Sequence, residues 1–93
     1  MQTEEILGIL KIDLQISSQK YDEYLGHLID LATRAIKEEG IILNNSTEDS
    51  MLVEMYAAYL YRKRREESAV MPRSLRYMLN NRLIAGKAGD FNG

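Results

Sequence analysis

The sequence predicts an all-α fold: a small four-helix domain, one short N-terminal helix and three longer ones, with a flexible C-terminal tail. Three observations carry that prediction. Apolar residues recur at spacings of three and four along most of the chain, the period of a one-sided helix. Ninety-three residues with no cysteine and one proline fit a single compact domain. Hydrophobic residues make up 45% and charged residues 28%, enough for one core and a solvated outside. A disordered chain would be far less apolar.

The first helix is short. Thr3 stands before Glu4 and Glu5 and can cap a helix whose N-terminal dipole favours those carboxylates. Ile6, Leu7, Leu10 and Leu14 supply an apolar stripe, and Gly8 weakens an element placed at about residues 4–11. The polar stretch 15–19 then reads as a connection, with Ser17 or Ser18 able to cap the next helix.

The second helix has the clearest stripe: Tyr21, Tyr24/Leu25, Leu28/Ile29, Ala32 and Ala35/Ile36. Asp22, Glu23, His27, Asp30, Arg34 and Lys37 fall mostly outside it. Gly40 suits the left-handed position past the helix end. Nearly twenty residues at 1.5 Å each give roughly 28 Å. Ile41, Ile42 and Leu43 form a β-branched apolar run, read as an extended segment tucked under this helix.

Ser46 opens a capping-box-like start for the third helix, with Asp49 three residues on. From Met51 to Tyr61 the only charge is Glu54, so this helix must be covered on several sides and is the central one. It ends in Arg62-Lys63-Arg64-Arg65-Glu66-Glu67, where bases suit the C-terminal dipole. Pro72 fits the first turn of a fourth helix, with Leu75, Met78/Leu79 and Leu83 on its stripe and Arg73, Arg76 and Arg82 off it. Gly86 is placed at its end. The organisation is a helical domain over residues 1–85 and a flexible tail over 86–93.

Several function classes find no support. Without cysteine there is no disulfide, thiolate metal site or thiol nucleophile. The start holds no leader-like apolar run, and no stretch is long enough to span a membrane, so a soluble, cytosolic domain is expected. His27, with only Glu23 and Asp30 within a turn, makes a poor zinc site and reads as an exposed helical histidine. Adjacent acids such as Glu4/Glu5, Glu38/Glu39 and Glu66/Glu67 diverge by about 100° on a helix and cannot share a substrate. There is no phosphate loop and no nucleophile elbow. Neither an enzyme, a cofactor nor a small-molecule ligand is expected.

The charge distribution is more telling. Residues 1–50 carry ten acids against four bases, net −6, and residues 51–93 carry eight bases against four acids, net +4. Such a chain either packs its own halves together or sets one molecule's basic face on its neighbour's acidic face. Composition does not choose. Tyr56 and Tyr59 lie on the core stripe, whereas Tyr24, Tyr61 and Tyr77 suit an interface beside arginines. The run Arg62–Arg65 reads as a solvated helix end, a phosphate contact or a subunit contact. It lacks the interleaved Asn, Gln or Ser of a base-reading helix.

The segments Met55-Tyr56-Ala57-Ala58-Tyr59-Leu60-Tyr61-Arg62-Lys63-Arg64 and Met71-Pro72-Arg73-Ser74-Leu75-Arg76-Tyr77-Met78-Leu79-Asn80-Asn81-Arg82-Leu83 resemble the head–tail connector (head-completion) proteins of tailed bacteriophages. Leu10-Lys11-Ile12-Asp13 followed by an acidic helix resembles the opening of that family, so the likeness covers about residues 6–85. It implies a virion protein, made in the host cytoplasm, that forms a homo-oligomeric ring below the portal. The ring would lengthen the channel for non-specific passage of double-stranded DNA and dock a stopper or tail-completion protein. A ring needs two different patches that meet around an axis. The expected basic patch is Arg62, Lys63, Arg64, Arg65 and Arg73 with Tyr61 and Tyr77; its acidic counterpart is Asp22, Glu23, Asp30 and Glu38. Lys87, Asp90 and Phe91 are the expected portal-docking tail. The rival readings are a helix-turn-helix-type DNA-binding regulator using the basic half, and a helical adaptor of another assembly.

Overall fold

The computed structural model describes the backbone of residues 3–92 and the side chains of residues 3–86. Among the described residues the protein is all-helical, with four helices and no strand. In chain order these are α1 (Thr3–Leu14), α2 (Asp22–Glu38), α3 (Thr47–Arg65) and α4 (Arg73–Asn92), with one 3-10 turn at Gln19–Tyr21. α3 packs against α1, α2 and α4 and is the centre of the fold.

α1 is longer than its sequence suggests, and Thr3 is its first helical residue rather than its cap. Burial outweighs the weakness of Gly8, since Ile6 and Leu10 are 2% and 0% exposed. Its end has a specific device. Gln15 adopts φ 59° while the Ile16 N–H donates to the Lys11 carbonyl at 2.9 Å, a left-handed stop built without glycine. Ser18 then accepts from the Lys20 N–H at 3.1 Å and starts the 3-10 turn that leads into α2.

α2 buries Leu25, Leu28, Ile29, Ala32 and Ile36 of the predicted stripe, whereas Tyr21 falls in the 3-10 turn before the helix and is 42% exposed. Gly40 takes φ 99°, as its position required. The segment after it tucks in only alternate side chains: Ile41 is buried, but Ile42 is 79% exposed. An extended backbone sends successive residues to opposite sides, so the whole run cannot face the core.

At the start of α3 the Ser46 hydroxyl accepts from the Asp49 N–H at 3.1 Å. The capping box is only half made. The Asp49 side chain turns away, taking the Asn44 N–H at 2.8 Å, while Asn44 Oδ1 accepts from the Ser46 N–H. Leu52, Val53, Ala57 and Ala58 supply the inward faces of α3. α4 begins one residue after Pro72, whose carbonyl accepts from the Arg76 N–H at 3.1 Å; the proline stands just before the first turn, not inside it. Leu75 and Leu79 are its fully buried anchors. The helix does not stop at Gly86, and the expected tail residues Lys87, Asp90 and Phe91 have side chains outside the described residues.

Candidate functional site

The basic end of α3 is an ordered cluster with all four bases exposed. Lys63 Nζ donates to the carbonyls of Glu67 at 2.7 Å and Ala69 at 3.1 Å, pinning the turn that follows the helix. Arg65 donates to the Tyr61 hydroxyl at 2.9 Å and lies 5.5 Å from the centre of that ring. Arg62 approaches Asp13 at 4.0 Å, a loose exposed pair. Arg64 makes no hydrogen bond or ion pair among the described residues. Hydroxyl and carbonyl partners leave a charge in place, so this end remains strongly positive.

Tyr24 and Tyr61 are half-buried against the core, their ring centres 6.5 Å apart. They meet each other within one molecule. Tyr77 differs, standing 69% exposed on α4, with Arg73 one turn before it, exposed and unpaired among the described residues.

Two further arginines of α4 turn inward to acids of the other half. Arg76 grips Glu39 with both nitrogens, at 2.8 and 3.2 Å. Arg82 holds the buried Asp49 at 2.9 and 3.1 Å and also donates to the Ile42 carbonyl. Together with Arg62 and Asp13, these contacts join the basic half to the acidic half inside one molecule. Internal packing of the two halves accounts for part of the charge asymmetry; Arg64 and Arg73 lie outside it.

The four acids expected as a counter-patch do not form a single-signed surface. Asp22 is paired with Lys11, whose Nζ lies 2.7 Å from Oδ1 without hydrogen-bond alignment. Glu23, Asp30 and Glu38 are exposed. Arg34 is four residues from both Asp30 and Glu38, and Lys37 falls on the same arc, so the outer face of α2 carries mixed charge.

The structure adds a site that the sequence alone does not reveal. A groove of about 250 Å³ runs between the first turns of α1 and α3, lined by Glu5, Ile6, Ile9, Met51 and Glu54 among others. Ile9 and Met51 are 54% and 51% exposed. Glu54 is buried, and its Oε2 has no hydrogen-bond partner among the described residues. Burial, then the hydrogen bond and charge of Asp13, push the Glu54 carboxyl up to about 7, against a smaller pull from Arg62. The available signal was Glu54 itself, one charge in an eleven-residue apolar stretch from Met51 to Tyr61. A second apolar hollow lies between Leu52 of α3 and Tyr77, Met78 and Ala85 of α4.

Among the described residues no group of three or more His, Asp or Glu could hold a metal ion. No helix among them is long and apolar enough to cross a membrane. Comparison with protein-family models, with curated proteins and with solved structures gives no match.

Proposed function

We propose that the protein is a structural assembly subunit of the head–tail connector kind. In this reading it packs beside copies of itself in a ring under the portal of a phage head. The ring extends the DNA channel and receives the stopper or tail component. One observation carries the reading. Along residues 61–77, within the stretch that resembles connectors, Arg64 and Arg73 stay exposed without a partner among the described residues, and Tyr77 is 69% exposed. Arginine and tyrosine together are the side chains enriched in the anchoring parts of protein interfaces.

The DNA-binding alternative draws less support. Of the three arginines on α4, Arg76 and Arg82 are held by Glu39 and Asp49, which leaves Arg73 as the free arginine of a recognition helix among the described residues.

The test is incorporation into portal-containing complexes. Replacing Arg64→Glu and Arg65→Glu together is expected to lower incorporation at least about tenfold, since the reversal turns the basic helix end acidic. Unchanged incorporation overturns the reading. A salt-dependent shift of random duplex by the isolated protein would favour the DNA-binding alternative instead.

A further inference from the structure

We infer that the groove between α1 and α3 is the receiving half of a head-to-tail contact, and that Arg64 of a second copy of this chain fills it. This deepens the proposed ring and rests on that reading for its biological setting, but its physical basis is separate.

Glu54 supplies the first argument. A carboxyl 7% exposed, set against the Asp13 carboxyl and with its Oε2 without a hydrogen-bond partner among the described residues, is a costly feature in a folded chain. It lines a groove open enough to admit a side chain. Glu54 and Glu5 are the two carboxylates among the residues that line it. The walls supply the second argument. Ile6, Ile9 and Met51 offer apolar surface to an aliphatic stem while the carboxylates take its charged head. Apolar side chains together with carboxylates fit a long cationic side chain better than a wholly apolar one.

The third argument selects the occupant. Arg64 is exposed and unpaired among the described residues, in a cluster that keeps its positive charge. Ten residues of one helix separate it from Glu54, about 15 Å along the axis. No molecule can place its own Arg64 in its own groove. Groove and arginine are therefore two different patches, and a contact between them repeats from subunit to subunit, the geometry that closes rings. The mixed charge on α2 offers no comparable receptor.

The protonation of Glu54 supports the same picture. The charged groups acting on it are Asp13 from α1 and Arg62 on α3 itself, and Glu5 lines the same groove. An arriving guanidinium favours the carboxylate, so the contact forms with loss of a proton and tightens as pH rises through about 7.

Sedimentation velocity on the full chain, over concentrations up to about 1 mM, tests this. The wild-type chain is expected to self-associate, more tightly at about pH 8 than at about pH 6. Glu54→Gln and Arg64→Glu are each expected to weaken association at least about tenfold while circular dichroism stays helical. Met51→Lys, which sets a like charge on the groove wall, serves if Glu54→Gln misfolds. The decisive arm mixes the two deficient proteins. Glu54→Gln keeps a working arginine and Arg64→Glu keeps a working groove, so the mixture is expected to form dimers and stop there. A mixture that stays monomeric, or a wild-type chain monomeric throughout, overturns the inference. Loss from Glu54→Gln alone, with Arg64→Glu unchanged, overturns the assignment to Arg64. Normal self-association without joining a portal would sink the connector reading and leave this contact standing. Portal rings that form unchanged with Glu54→Gln, while the Arg64→Glu and Arg65→Glu double variant fails to join, would do the reverse.

Discussion

α2 and α4 are helices of similar length attached to the same central helix by different means. α2 sends five side chains into the core, each at most 2% exposed. Among its described residues α4 sends two that are fully buried, Leu75 and Leu79, and adds two arginine pairs, to Glu39 and Asp49. Apolar packing is non-directional and insensitive to salt, whereas an ion pair depends on placement and on what water does around it. The difference teaches that α2 belongs to the stable body of the domain and α4 is fastened to it at discrete points.

The strongest way to break that contrast is at Leu28, which is 0% exposed on α2. Leu28→Ala should destabilise the protein by about 3–4 kcal/mol, read from the denaturant midpoint. For a domain of this size that is a large share of its stability. A loss below about 1 kcal/mol would show that α2 is not the body of the fold.

Next comes Arg82→Met, which leaves the 1% exposed Asp49 carboxylate without its charged partner. About 3 kcal/mol should be lost. Amide exchange sharpens the comparison: α4 amides should exchange faster while those of Leu28 and Ile29 keep most of their protection relative to global unfolding. Equal acceleration in both helices would make α4 part of one cooperative unit with α2.

Glu54 tests the purity of the apolar body. Its carboxyl lies at about 7 in the folded chain against an ordinary 4.5, so the folded state holds this proton more tightly. Its contribution is fully present below about 4.5, is lost as pH rises through about 7, and is flat above that. Glu54→Gln should therefore stabilise the protein relative to wild type at about pH 8 by on the order of 2 kcal/mol, and by much less at about pH 4.5. Equal differences at both pH values would remove the buried acid from the account.

The smallest effect is expected at the end of α1. Gln15 holds φ 59°, a region that side chains tolerate poorly. Gln15→Gly should raise stability by about 0.5–1 kcal/mol in thermal unfolding, unless the extra freedom of glycine in the unfolded chain offsets the gain. An outright loss would mean that the Gln15 side chain matters more than its backbone.

The same division separates the features that are legible in the sequence from those that are not. The four helices, the Gly40 stop and the Ser46 cap are local, written within one turn of the residues that carry them. Helical period therefore places Leu25, Leu28, Ile29, Ala32 and Ile36 correctly inside. The fastening of α4 is not legible, because Arg82 and Asp49 are 33 residues apart and Arg76 and Glu39 are 37. Arg76 and Arg82 look like solvated bases off an apolar stripe, and Asp49 looks like a capping residue. Nothing short of the folded path says which acid waits for which arginine. The groove at Glu54 stays hidden for a related reason, since it exists only once α1 lies along α3. The left-handed Gln15 is invisible too, because glycine is the usual sign of such a stop.

Arg82 has one more implication, in time rather than space. Its two partners, the Asp49 carboxylate and the Ile42 carbonyl, flank the turn between α2 and α3. If that turn is shaped before the guanidinium grips it, the α2–α3 hairpin forms first and α4 closes over it last, an order that folding kinetics can test. Contacts made after the rate-limiting step govern how fast a protein comes apart and leave its rate of folding nearly untouched. Stopped-flow traces of Arg82→Met should accordingly show a steeply faster unfolding limb over an unmoved refolding limb. In that sense Arg82 acts as a latch on the lifetime of the folded chain.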